Sequence, residues 1–368
     1  ALKGVTDALK ELVQESIQEI PTQKIIDLKQ RHEDLANELN CSNTELGNYF
    51  EETFSYLQKI CLGINALGES TERVEALVMG LGEKLSSRII HSFFQVEGLN
   101  FNYADSEQLI VANGTFLVAS LDEEKTYSNI NSSIDKSTNY IAPGFIASNH
   151  DAKPVTLGRG GSDYSAAIYA GALNAERLEI WSDVDGMLNA NPMIVKQAKM
   201  IQNLSYEEAF ELSYFGAKVL YPPTIRPLVA SNIPLELKNT FSPQKEGTRI
   251  DTSESFDENP VKGVTALSNV GLLNISGIGM ANQKGYAKRV FESLERVGIS
   301  VILITQCCSE HSICVGIEQQ VLDLAIAGLS SEFEFEISRG LLNPVETDSD
   351  YSIIALIGDK MINRIGLS

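Results

Sequence analysis

The chain has 368 residues, 43% hydrophobic and 21% charged, with 29 basic against 49 acidic side chains and a formal net charge of -20. A chain of this size and polarity is too apolar for disorder and buries a core without staples, and its length favours about two domains or a little more. The acidic balance argues against nucleic acid and anionic membrane as partners, and no apolar run approaches the roughly 20 residues that cross a bilayer. The five cysteines, Cys41, Cys61, Cys307, Cys308 and Cys314, show no CxxC and no regular spacing. A reduced, cytoplasmic chain with no metal centre is expected, rather than a disulfide framework or a zinc site. The start, Ala1-Leu2-Lys3-Gly4, has no signal-like apolar stretch.

In chain order, the first hundred residues read as helical. Thr6 to Leu12 opens one helix, and Val74, Val78, Leu81, Leu85 and Ile89 recur at the three-and-four spacing of another. Short apolar runs then alternate with helices: Phe116-Leu117-Val118, Tyr140-Ile141-Ala142 and Leu178-Glu179-Ile180-Trp181. That alternation predicts an α/β layer fold with a mostly parallel sheet. Ser205 with Glu208 is a capping box that starts a helix over Tyr206 to Phe215. The polar, Pro- and Gly-bearing stretch between Thr240 and Val261 marks a boundary. Beyond it, strands are expected at Leu272–Ser276, Ser300–Thr305, Ser312–Ile317 and Phe333–Ile337, with helices at Tyr286–Val297 and Val321–Leu329. This βαββαβ order is a ferredoxin-like unit. A further strand, Ile353–Ile357, then opens a second unit that Ser368 cuts off.

Three segments carry candidate chemistry. Thr156 to Ala167 reads as a strand, a Gly-rich turn (Gly158, Gly160, Gly161) and a helix start. Such a turn brings backbone N–H groups and a helix N-terminus toward an anion, and Arg159 can hold a carboxylate or phosphate through two parallel hydrogen bonds. An ordinary turn with Ser162 or Asp163 as N-cap is the plain alternative. The segment matches neither a P-loop nor GxGxxG. The second segment is Ser182-Asp183-Val184-Asp185-Gly186, a hydroxyl and two carboxylates at a strand's C-terminal end, where α/β sheets bind ligands. A solvated Asp-Gly turn accounts for it equally well. The third is Lys218 just past a helix, in Phe215-Gly216-Ala217-Lys218. Glu83, beside Gly82 on the apolar-striped helix, reads alone as a solvated helix residue, and Cys307-Cys308 as inert thiols.

Taken in order, these segments, with Leu204 to Ala209 and Ile233 to Thr240, resemble the aspartokinases of the amino-acid kinase family. Residues 261–368 resemble that family's ACT regulatory region, from Val261-Lys262-Gly263-Val264 and Ile275 to Met280. Ile302 to Ile313, and Gly340-Leu341-Leu342 followed by Ile353 to Asp359, look most like the bifunctional aspartokinase–homoserine dehydrogenases. The resemblance implies a three-layer αβα kinase domain over residues 1–245, lacking its N-terminal strand and motif, then ACT modules over 261–368, the second incomplete. It implies ATP-dependent phosphorylation of the L-aspartate side-chain carboxylate with Mg2+, the first step toward threonine, lysine and methionine. Feedback by an amino acid, threonine foremost, and a homo-oligomer joined through the ACT modules also follow from it.

By position, Arg159 would clamp a carboxylate of aspartate, Glu83 its ammonium, and Thr6 would touch the substrate. Ser162 and Asp163 would lie beside the γ-phosphoryl. Ser182, Asp183, Gly186 and Lys218 would contact the nucleotide, and Gln306 the regulatory amino acid. The sequence departs from the family's pattern in four places. The Lys-Phe-Gly-Gly-Thr-Ser motif is absent from the residues given, Ala1 starting downstream of it. Asn191-Pro192-Met193 stands for Asp-Pro-Arg, Leu188 for an aromatic, and Tyr221-Pro222-Pro223 for His-Pro-Arg. These departures motivate the alternative of a catalytically weak amino-acid sensor. A kinase of acetylglutamate or glutamate is a third reading.

Overall fold

The computed structural model describes residues 1–215, 220–252, 261–281, 283–306, 311–358 and 361. The chain forms two compact units. Four helices open the first: α1 (Val5–Glu15), α2 (Thr22–Glu38), α3 (Thr44–Leu67) and α4 (Glu72–Val96). Asn43 and Thr71 cap α3 and α4 by accepting from the Leu46 and Val74 amides. Their apolar stripes meet in one core, in which Val5, Leu9, Leu12, Phe50, Leu57, Leu85 and Ile89 are buried. The predicted stripe on α4 is therefore a packing face, with Val78, Leu81, Leu85 and Ile89 inside and Val74 at its edge.

Short strands and helices follow: β1 (Phe101–Tyr103), α5 (Ser106–Leu109), β2 (Ala112–Gly114), β3 (Ala119–Leu121), α6 (Glu123–Ser133), β4 (Asn139–Ile141), β5 (Ile146–Ser148) and β6 (Pro154–Thr156). After these come α7 (Gly161–Leu173), β7 (Leu178–Ser182), β8 (Asn203–Ser205), α8 (Tyr206–Tyr214), α9 (Ile225–Ser231), β9 (Leu235–Asn239) and β10 (Thr248–Asp251). A second core, with Ile110, Ile130, Val155, Leu157 and Ile168, lies under α6 and α7. The larger sheet runs β7-β9-β10-β8, parallel at its two outer pairs and antiparallel at the β9–β10 hairpin. β1 with β4 adds a parallel pair, and β2–β3 and β5–β6 are antiparallel. Of Phe116-Leu117-Val118, expected as a strand, only Val118 bridges, antiparallel to Leu157; Phe116 and Leu117 bend where Thr115 Oγ1 accepts from the Val118 amide and donates to its carbonyl. The capping box forms as predicted: Glu208 N donates to Ser205 Oγ at 3.1 Å, and Ser205 N to Glu208 Oε2 at 2.9 Å.

The second unit contains Leu188–Lys199 and the elements β11 (Gly263–Ser276), α10 (Tyr286–Arg296), β12 (Leu303–Gln306), β13 (Ser312–Glu318), α11 (Leu322–Glu332), α12 (Glu334–Ser338) and β14 (Glu346–Ile357). Its sheet order, β12-β13-β11-β14, is that of a ferredoxin-like βαββαβ unit. The final strand is not the one expected. Phe333–Ile337 is helical, with Phe333 fully buried against α10 and its ring stacked on Tyr286. Ile353–Ile357 instead ends the long β14, paired with Gly263–Leu267 of β11. A bulge near Asn269, at φ 60°, splits β11. Its first half pairs with Ile353–Ile357 and its second half lies between β13 and the start of β14.

Candidate active site

The Gly-rich turn leaves β6 and enters α7. Gly158 (φ 75°) and Gly160 (φ 65°) occupy left-handed conformations that a side chain resists. Space forbids one as well: a Cβ at Gly160 would lie 2.2 Å from Tyr221 Cβ, and one at Gly161 2.9 Å from the Phe145 ring. A facing loop closes the turn's other side, since a Cβ at Gly144 would meet Ser162 Cα at 2.8 Å. Phe145, itself at φ 68°, donates its amide to Ser165 Oγ, which in turn donates to the Gly161 carbonyl. Sequence reasoning missed this second loop and Tyr221. Nothing in Gly144-Phe145 or Tyr221 announces a partner so distant in the chain.

The turn leaves its functional groups free. Gly160 caps the 13-residue α7 without a side-chain hydrogen bond. Arg159 and Ser162 are exposed, and neither makes a hydrogen bond or ion pair among the described residues. Asp163 is half-buried and unpaired, and burial pushes its carboxyl above the usual range. Arg159, Ser162 and Asp163 thus stand together at the start of α7 without hydrogen-bond or ion-pair partners among the described residues.

Glu83 and Thr6 lie on α4 and α1, which pack together: a Cβ at Gly82 would touch Val5 and Leu9 of α1 at 3.2 Å. Two residues earlier, Gly80 faces Ile146 of β5, which leads back to Gly144 and Ser162. Glu83 is not a solvated helix residue: its side chain is 14% exposed. Thr6 is half-buried in the first turn of α1, with no polar partner among the described residues.

The turn after β7 behaves differently. Asp185 accepts from Asn239 Nδ2 at 2.6 Å and from Lys245 Nζ at 3.2 Å, which holds its carboxyl below the ordinary range. Gly186, at φ 145°, would place a Cβ 2.5 Å from Thr248 Oγ1. That hydroxyl accepts from the Met187 amide and donates to the Ile201 carbonyl. Ser182 Oγ accepts from the Val184 amide at 3.4 Å, and Asp183 is exposed and unpaired. Ser182 and Asp183 are thus open to a ligand, whereas Asp185 and Gly186 serve the turn itself. Trp181 carries the Lys238 ammonium 4.9 Å from its ring centroid.

Other sequence-singled residues lie elsewhere. Lys218, Cys307 and Cys308 fall outside the described residues. Gln306 ends β12, opposite Ile313, with its side chain exposed. Leu188 and Met193 belong to the second unit, and Met193 is 88% exposed. Cys41 and Cys61 are buried, which pushes both thiols up and leaves them unreactive. Among the described residues there is no group of three His, Cys, Asp or Glu side chains placed for a metal, and no helix is long and apolar enough to cross a membrane.

The fold and the glycine-turn site define an amino-acid kinase: the model of the amino acid kinase family matches residues 4–239, and the chain belongs to that family. An ACT domain model matches residues 273–333. The chain is 40% identical over 306 residues to a bifunctional aspartokinase/homoserine dehydrogenase of Haemophilus influenzae, covering 83% of this chain and 38% of that protein. It is 32% identical to the chloroplastic bifunctional enzyme 1 of Arabidopsis thaliana, covering 100% of this chain and 42% of that one. The chain thus spans about two fifths of the length of these relatives. Among solved structures it resembles E. coli aspartokinase III in complex with aspartate and ADP, with a TM-score of 0.85 and 25% identity over 100% of this chain and 81% of that one.

Proposed function

We propose that the protein is an aspartate kinase, transferring the γ-phosphoryl of ATP to the side-chain carboxylate of L-aspartate. The observation that carries this reading is Arg159, exposed and without a partner among the described residues, in the glycine turn that starts α7. An α-amino acid brings a carboxylate, an ammonium and a second carboxylate, and these residues supply the complementary charges. Arg159 holds a carboxylate bidentately, Glu83 the ammonium, and Thr6 a hydrogen bond.

The nucleophile is already an anion at neutral pH, so no strong base is required. Catalysis rests on positioning and charge neutralisation, supplied by Arg159, Ser162 and the α7 amides. Ser182 and Asp183 hold the nucleoside, and Lys218 is the nucleotide-contacting lysine. Mg2+ takes few protein ligands and several phosphate and water oxygens, so the single carboxyl of Asp163 is a fitting donor and a three-ligand cluster is not needed. When bound, it neutralises phosphate charge.

In this reading residues 1–245 form the catalytic part and 261–368 the ACT-type regulatory part of a cytoplasmic homo-oligomer, with threonine as the feedback ligand near Gln306. A coupled ADP-release assay on the full-length gene product tests it. Aspartate-dependent ADP release is expected, and its absence would reject the kinase in favour of an amino-acid sensor. Calorimetric titration with threonine and with lysine tests the regulation: lysine binding without threonine binding overturns the choice of ligand.

A further inference from the structure

We propose that the cleft between α3 and α4 is a second ligand site, one that takes a small carboxylate anion anchored by Arg88. The cleft holds about 290 Å³ and is lined by Asn43, Asn48, Tyr49, Arg88, His91 and Gln95, with the carboxylates of Glu45 and Glu52 also on its wall. At roughly 30 Å³ per water it has room for about ten waters, or for a carboxylate of a few carbons.

Arg88 is the unexplained group. Its guanidinium lies 3.7 Å from the Tyr103 ring centroid and 5.3 Å from that of Tyr49. It forms no ion pair or hydrogen bond among the described residues, and its Nε is buried without a partner. The neighbouring charges are spoken for or turned away: Lys84 pairs with Glu107 at 2.6 Å, and Glu45 and Glu52 are exposed without reaching Arg88. A half-buried cation with a dry, unpaired N–H is costly, and stacking on two rings offsets only part of that cost. The two rings flank the guanidinium and hold it at the cleft wall. Tyr103 is itself held, its hydroxyl 3.0 Å from Ser87 Oγ and its titration pushed up to about 12 by burial. A fixed, planar fork opening on a polar cleft is the geometry that selects a planar carboxylate.

The rest of the lining agrees. His91 is turned to the protein, donating Nε2–H to the Phe101 carbonyl at 3.1 Å, and is not counted toward the anion. The amides of Asn48 and Gln95 have no partners among the described residues. The cleft also borders the N-terminus of the 24-residue α3 at Asn43 and Leu46, where the helix dipole favours negative charge. Glu45 and Glu52 oppose an anion and make the site a weak one.

The test is isothermal titration of the protein with succinate, with neutral succinamide and inorganic phosphate as controls. Saturable succinate binding in the millimolar range is expected, with none for succinamide. Arg88→Gln should weaken it at least tenfold. Glu52→Gln, at an exposed position that tolerates change, should tighten it severalfold by removing a repelling charge. Arg159→Ala should leave this binding intact, which separates the cleft from the proposed aspartate site. Absence of succinate binding, succinate binding lost in Arg159→Ala but kept in Arg88→Gln, weaker binding in Glu52→Gln, or phosphate binding at Arg88 without succinate binding would each overturn the proposal.

Discussion

Two glycine-bearing turns follow strands of the first unit, and they manage their polar groups in opposite ways. The turn after β7 satisfies itself: Asp185 is bound by Asn239 and Lys245, and Thr248 fills the space beside Gly186 and binds two backbone groups. The turn after β6 spends its packing on shape alone, with Tyr221, Phe145 and Gly144 pressed against its backbone, while Arg159, Ser162 and Asp163 have no partner among the described residues. Both read alike in sequence, as Gly and Asp beside a strand. Rigid backbone with unpaired charges marks a ligand site, whereas paired charges mark a structural corner.

The largest effect should come from Gly160→Ala. A left-handed backbone costs about 1–2 kcal/mol for an L residue and an overpacked contact about 1–3 kcal/mol, so destabilisation of about 2–5 kcal/mol is expected. Urea unfolding would show it as a lower midpoint at constant m, and an unmoved midpoint would mean that Tyr221 yields freely. Arg159→Ala should cost little stability, since the side chain is exposed and unpaired. Its kcat/KM for aspartate should nevertheless fall about 10- to 150-fold, the equivalent of a charged hydrogen-bonding partner worth about 1.5–3 kcal/mol. Steady-state kinetics beside a melting curve separates the two readouts.

Thr248→Val should behave in the reverse sense. It leaves the Met187 amide and Ile201 carbonyl without their hydroxyl, at a cost of about 1–3 kcal/mol in stability. The remaining folded enzyme should keep its aspartate KM. If instead Thr248→Val alters kinetics and Arg159→Ala alters only stability, the contrast between the turns is inverted.

The smallest effect concerns the helical core. His32 is fully buried beside Phe50 and Phe54, with Nε2 unpartnered, and burial lowers its titration below the ordinary value. The unfolded chain therefore takes up this proton at a higher pH than the folded one. Between the two values the unfolded state binds more protons, and stability falls as pH drops below about 6.5. Denaturant midpoints at pH 7 and pH 5 should show the loss, and His32→Gln should flatten that part of the slope.

The sequence by itself determined the local elements whose signals are local. The capping box at Ser205–Glu208, the apolar stripe of α4, the helix at Tyr286 and the strand–turn–helix around Arg159 all rest on spacing within a few residues, and the structure shows each. The residues proposed for aspartate came from the family resemblance; Glu83 and Thr6 carry no local signal of their own. The identity of the last βαββαβ strand was not visible in sequence. Phe333–Ile337 is apolar enough for either period, and only burial of Phe333 against α10 makes it helical, leaving β14 to take the sheet edge. Nor could the sequence say that Glu83 is enclosed, that Tyr221 seals Gly160, or that Asp185 is paired while Asp183 is free. Those depend on contacts between residues distant in the chain, where steric exclusion and the cost of leaving a buried charge unpaired decide which groups remain open to a ligand.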